Sequence, residues 1–273
     1  MITRAQEGTR DDAEGRGCSD LRSRRCDRRC CRTRLCARGG QSLSHRAPPG
    51  TGRSGPKDIV SAGGSAEAAE VDALDEQAVD KHLQSEIDEA GRVDILFNAV
   101  GIPNKKILGV LLVEIDVKQF SLPITAYTRS YFLTARVAAR HMIPNKSGVI
   151  MTVTALPSRM GSRLNGGYGP AQAAKEAMTR DLSAELAPQG IRVVGLRPHG
   201  MPETSMMKEV FEVKAPRIGM TWEQFQGYLA GTTHPRRVMT LEEMANMAVF
   251  MASDKASGMT GTTVNLTMGS LDD

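Results

Sequence analysis

The run NGGYGPAQAAKEAMTRDLSAEL, beginning at Asn165, places Tyr168 at the head of a long helical pattern. A phenol held at such a place can give or take a proton, and a cation one helical turn away favours its ionised form. The residue one turn on is Gln172, an amide without charge, and the nearest lysine is Lys175. Lys175 lies nearly two turns along and shares a helix face with Tyr168, about 10 Å further up the axis. A lysine stem leaning toward the helix N-terminus closes part of that gap. Two readings stand: Lys175 reaches the tyrosine and supplies the missing charge, or it is a solvated surface lysine.

Such residues act only if a scaffold aims them, and from about Lys57 the chain has the pattern of one. KDIVSAGGSAEAAEVDA reads as a helix end, a glycine turn and a short strand ending near Asp72. EQAVDKHLQSEIDEAGRVDILFNAVG reads as an amphipathic helix, a glycine stop and a buried strand from Val93 to Val100. YTRSYFLTARVAARHMI predicts a long helix, and GVIMTVTA a second buried strand. The tyrosine helix is expected to stop at Gly190, a left-handed cap. IRVVGLRP is the next strand, and TLEEMANMAVFMASD opens with Thr240 and Glu243 at capping-box spacing. GTTVNLTMG is the last strand. Strands alternating with helices imply an α/β fold, a doubly wound parallel sheet covered on both faces. Ligands bind such sheets outside the carboxyl ends of the strands.

Residues 1–56 have another character. All five cysteines, Cys18, Cys26, Cys30, Cys31 and Cys36, lie there among crowded arginines. Apolar residues are scarce and no period is visible, so the segment cannot bury enough surface to offset its ordering entropy. The cysteine spacing is too loose for a zinc site. The arginines resemble the footprint of a nucleic-acid arm, but Asp20 and Asp27 interrupt them and no aromatic is interleaved, which argues against that partner. Gly50 to Gly55, GTGRSG, matches a dinucleotide fingerprint in letters only. Pro48 and Pro49 precede it, where the motif needs a buried strand.

The blocks FNAVG and YGPAQAAKEAMTRDLSAELAPQGIRVVGLRPHG resemble the short-chain dehydrogenases/reductases, from about Lys57 to the C-terminus. That resemblance implies a single Rossmann-like domain over 57–273 that binds NAD or NADP and interconverts alcohols and carbonyls, with Tyr168 as the acid or base. In this register Gln172 stands where the family has lysine. The serine position falls on Ala155, with Thr154 beside it, and the helix-borne asparagine falls near Tyr127 or Thr128. Of the four expected residues only the tyrosine is clearly present, which implies impaired chemistry or a catalytically inactive binding subunit. Enoyl-acyl-carrier reductases of the same superfamily have a Tyr-x6-Lys spacing, but their lysine keeps the ordinary register.

The resemblance also assigns a cofactor cleft. Asp72 and Ala73 would contact the adenine, Asn98, Ala99 and Gly101 would line the cleft, and Pro198 and Gly200 would meet the nicotinamide. His199 is expected to face solvent. Residues 201–239 correspond to a substrate lid, whose Met206, Met207, Phe211, Met220 and Trp222 suit an apolar small molecule or pack the lid itself. The family's first strands and glycine-rich turn should occupy 1–56, and the alien composition there suggests an out-of-frame reading. Their loss would leave the Val93–Val100 strand as a raw edge. The net charge is +4 and no apolar run is long enough to cross a bilayer. The expectation is a cytoplasmic homo-oligomer acting on a small molecule.

Overall fold

The computed structural model describes Ile2–Thr3 and residues 69–272. The cysteine-rich segment and GTGRSG lie outside the described residues. The elements run β1 (Ile2–Thr3), α1 (Glu76–Ala90), β2 (Ile95–Asn98), α2 (Val117–Met142), β3 (Gly148–Val153) and α3 (Tyr168–Leu186). They continue with β4 (Ile191–Pro198), α4 (Ser205–Ile218), α5 (Trp222–Gly231), α6 (Leu241–Ala252) and β5 (Thr262–Leu266). The sheet order is β1-β2-β3-β4-β5, with β2 to β5 parallel and β1 antiparallel to β2.

Both faces of the sheet are buried. Leu96, Ile150 and Val193 point to one side, where Val79 and Leu83 of α1 and Tyr131, Ala135 and Met142 of α2 cover them. Val149, Met151, Val194 and Leu196 point to the other, against Met244, Ala248 and Met251 of α6. This is the doubly wound α/β arrangement that the near-continuous apolar runs predict.

The predicted glycine stop ends α1 at Gly91, φ 81°, and Asp75, which the sequence reading did not single out, caps its start. Thr240 and Glu243 form the expected capping box on α6. After α3 one 3₁₀ turn leads to Gly190, left-handed at φ 78°.

Three expectations change. Among the described residues, 69–72 form no part of the short strand expected to end near Asp72, and Asp72 O instead accepts the Asp75 amide in a turn; the rest of that stretch lies outside the described residues. The outer side of β2 pairs with β1 through Ile2↔Leu96 and Thr3↔Ile95. That pairing means β2 is not a wholly raw edge. Finally, α2 begins ten residues before Tyr127, at Val117, capped by Asp116. Pro123 inside it reads in sequence as a boundary, because proline lacks the N–H that continues a helix.

Candidate active site

Tyr168 is the first residue of α3, and its amide donates to Asn165 O at 2.9 Å. Its ring is half-buried and meets the ring of Tyr127, from α2, edge to face, with centroids 5.7 Å apart at 77°. Burial drives the Tyr168 phenol well above its ordinary range, and the neighbouring Tyr127 phenol adds to the effect. Tyr127 accepts the Ile102 amide at 3.4 Å, and burial pushes it up to about 12 despite that hydrogen bond.

Gln172 sits one turn along α3, 2% exposed, and its Oε1 has no hydrogen-bond partner. Lys175 corrects the reading as a solvated lysine: it is 1% exposed. Its Nζ donates to Val153 O at 2.6 Å and lies 5.7 and 5.8 Å from the ring centroids of Tyr127 and Tyr131. The stem packs inward because this face of α3 lies on the sheet, and the two rings offer the cation their negative faces. Burial lowers its pKa from 10.5 to about 7. The Lys175 Nζ is thus held by Val153 O and flanked by the Tyr127 and Tyr131 rings.

Thr154 and its surroundings hold a second surprise. The Thr154 hydroxyl is buried and donates to Glu176 Oε1 at 3.0 Å or Leu196 O at 3.3 Å. Ser158 Oγ donates to the same carboxylate oxygen at 2.5 Å. Arg197 completes the cluster, with Nε 2.8 Å from Oε1 and Nη2 2.9 Å from Oε2, in a forked ion pair whose two side chains are each 3% exposed. Desolvation alone would raise the Glu176 carboxyl, but Arg197, Ser158 and Thr154 together hold it below the usual carboxylate range. Thr154 is thereby occupied in tying β3 to α3 and β4. Sequence reasoning missed this pair, and the readable signal was an arginine inside the apolar run VVGLRP. A charge there needs a partner.

The residues expected along the cofactor cleft are distributed unevenly. Asn98 clamps β2 to α2: its Nδ2 donates to Thr134 Oγ1 at 3.0 Å and Ser130 O at 3.4 Å. Ala99 is exposed at the carboxyl end of β2, with Gly101 beyond it. A β-carbon on Gly101 would strike the terminal methyl of Met206, so the lid lies directly against this loop. Asp72 is exposed and accepts the Leu74 amide at 2.9 Å, while Ala73 is buried. Pro198 ends β4, and Gly200 lies under Met207 and Leu229 of the lid. His199 is 2% exposed, which corrects the expectation that it faces solvent. Its Nε2 pairs with Thr232 Oγ1 at 3.0 Å, and burial holds the imidazole below its ordinary value.

The segment expected as a lid holds α4 and α5. Phe211, Trp222 and Phe225 pack on one another with centroids 5.2 to 6.0 Å apart. Phe211 and Trp222 thus build the lid, whereas Met206 and Met220 remain exposed.

One buried group suits the ribose of a nicotinamide dinucleotide. Gln172 Oε1 is a buried acceptor without a donor, one turn from Tyr168, where a ribose hydroxyl would satisfy it. Among the described residues no His, Cys, Asp or Glu group could hold a metal ion, and no helix is long and apolar enough to cross a membrane.

A doubly wound parallel sheet with a tyrosine at the head of the helix after β3, and a helical lid after β4, defines an oxidoreductase of the Rossmann-like, short-chain type. The chain belongs to that family, the short-chain dehydrogenases/reductases: the model of its enoyl-(acyl carrier protein) reductase branch matches residues 34–270. Members of the family are NAD(P)-dependent dehydrogenases and reductases. Among curated proteins, it is 30% identical over 200 residues to sorbitol-6-phosphate 2-dehydrogenase of Escherichia coli, covering 72% of this chain and 75% of that one. It is 29% identical over 202 residues to (+)-borneol dehydrogenase 2 of Salvia officinalis, covering 73% and 70%. Among solved structures, a sorbitol-6-phosphate 2-dehydrogenase from Erwinia amylovora superposes with a TM-score of 0.73 at 27% identity, over 80% of this chain and 85% of that one. A 7α-hydroxysteroid dehydrogenase with NADH and a 7-oxo bile acid gives 0.66 at 25%, over 78% and 77%.

Proposed function

We propose that the protein interconverts an alcohol and a carbonyl with NAD or NADP, with Tyr168 as the proton donor and acceptor, at a rate attenuated by its altered tetrad. The observation that carries this reading is the half-buried Tyr168 at the head of α3, edge to face with Tyr127, with the uncharged Gln172 one turn away. Hydride transfer is the chemistry that the nicotinamide supplies when bound. Gln172 holds the ribose side through its free Oε1, and the backbone around Pro198 and Gly200 walls the nicotinamide side. Tyr168 donates its phenolic proton to the oxygen of a carbonyl substrate, or takes the proton of an alcohol. A phenol above its ordinary range stays protonated at neutral pH and so stands ready as the donor to a carbonyl oxygen, but it is a weaker acid than an ordinary tyrosine, which is the attenuation proposed here. The relatives' printed substrates, a sugar phosphate, a terpene alcohol and a bile acid, share a secondary alcohol or its ketone, the class assigned here. The reading takes the protein as cytoplasmic and, as the family resemblance implies, as a homo-oligomer.

The test is to titrate NADH and NADPH against the full chain and to follow ketone reduction in Tyr168→Phe. Binding with turnover that vanishes in the variant supports the reading. Turnover unchanged in the variant refutes it.

A further inference from the structure

Tyr168 is delivered into the cleft by the turn 163–167, and that turn has no slack. Leu164 is buried with φ 61°, a left-handed backbone that leucine adopts only under constraint, and Gly166 follows at φ 49°. A β-carbon on Gly166 would strike Ile107 O, and one on Gly167 would strike Phe120 O, so both glycines run hard against neighbouring backbone. From the core side the turn is held by the Gly109 amide on Leu164 O at 2.9 Å and by its own Tyr168 amide on Asn165 O at 2.9 Å.

The remaining restraint comes from the lid. Lys214 of α4 is 9% exposed, and its Nζ donates to Arg163 O at 3.0 Å and to Asn165 Oδ1. Both acceptors are neutral. Burying an ammonium on neutral oxygens is costly unless each hydrogen bond is made, so Lys214 is stable only when both oxygens are in place. Burial lowers its pKa from 10.5 to about 8. A second latch, Glu209, joins the lid to the loop after β2 instead, accepting Asn104 Nδ2 at 3.3 Å and the Lys105 amide at 3.4 Å.

We propose that Lys214 is a positioning residue for Tyr168: reaching out of the lid, it locks the strained turn that sets the tyrosine, and so couples docking of the lid to placement of the phenol. Its meaning for catalysis rests on Tyr168 being the proton donor. The lock itself does not.

The experiment is amide hydrogen exchange on the full chain, comparing wild type with Lys214→Met, Lys214→Arg and Glu209→Ala. In Lys214→Met the amides of Tyr168 and Gly109 should exchange at least about tenfold faster, with the interior of α3 unchanged. Lys214→Arg keeps a cationic donor and should restore protection, and Glu209→Ala should leave the turn as it was. Unchanged Tyr168 and Gly109 amides in Lys214→Met would overturn the proposal. So would equal loosening in Glu209→Ala, or loosening that spreads through α3 and is not recovered in Lys214→Arg. Should Lys214→Met fail to fold, Asn165→Ala removes one acceptor alone. Faster exchange at the same two amides then supports the lock, and no change refutes it. Failure of the catalytic reading shows separately, as no NAD(P)H binding or as full turnover in Tyr168→Phe.

Discussion

Replacing Gln172 by lysine should return a charge to the tyrosine. A cation about 4 Å from the phenol, at an effective dielectric near 20, favours the phenolate by about 4 kcal/mol. At about 1.4 kcal/mol per unit, that would lower the Tyr168 pKa by roughly three units. The position limits this gain. Gln172 is 2% exposed, and the buried Lys175 nearby shows what the interior does to an ammonium, bringing it from 10.5 to about 7. That shift corresponds to about 5 kcal/mol against the charged form. A lysine at 172 is therefore only partly protonated above neutral pH, and the Tyr168 shift should be closer to one or two units. The assay is kcat/KM for ketone reduction against pH in wild type and Gln172→Lys. The basic limb should move to lower pH by about one to two units, because the added cation favours loss of the phenolic proton. A folded variant that binds nucleotide and leaves the basic limb in place would refute the electrostatic reasoning.

Two further outcomes concern the buried charges around the site. Arg197→Met leaves the Glu176 carboxylate in the interior on two hydroxyls, and breaking a buried pair in this way should cost about 3–5 kcal/mol in urea unfolding. The cost should shrink at acid pH, where the orphaned carboxyl takes up a proton. A loss under about 1 kcal/mol would mean that water reaches the site. For Lys175 the unfolded chain binds the proton more tightly than the folded one between about pH 7 and 10.5. Its contribution to stability therefore rises with pH through that window, by up to about 5 kcal/mol, and is lost as pH falls toward 7. Unfolding free energies measured across the window should show that rise in wild type and not in Lys175→Met.

Much of the fold was legible because it is written in short-range chemistry. Gly91, Thr240 and Glu243 act through hydrogen bonds within a turn of themselves, and the apolar runs of β2, β3 and β4 need no partner to be recognised. The strand expected to end near Asp72 does not reach residues 69–72, because Asp72 O is taken up by the turn that leads into α1. Lys175, His199 and Lys214 were misread or missed for a different reason. Sequence gives a residue's face on its own helix or loop, but the aromatic cage, the Thr232 hydroxyl and the strained turn that bury them come from segments far along the chain. Glu176 and Arg197 belong to the same class. That Tyr168 and Gln172 stand one turn apart on one helix was legible because that placement is a matter of spacing alone.

The lid also carries a built-in lamp. Trp222 is the chain's single tryptophan, and it packs against Phe211 and Phe225 within the lid. Excitation selective for indole therefore lights this one element and nothing else in the molecule. Colour and brightness of that emission depend on how dry the ring is. Any compound that rearranges α4 and α5 writes its own binding curve in unlabelled protein, before its chemistry or even its identity is known.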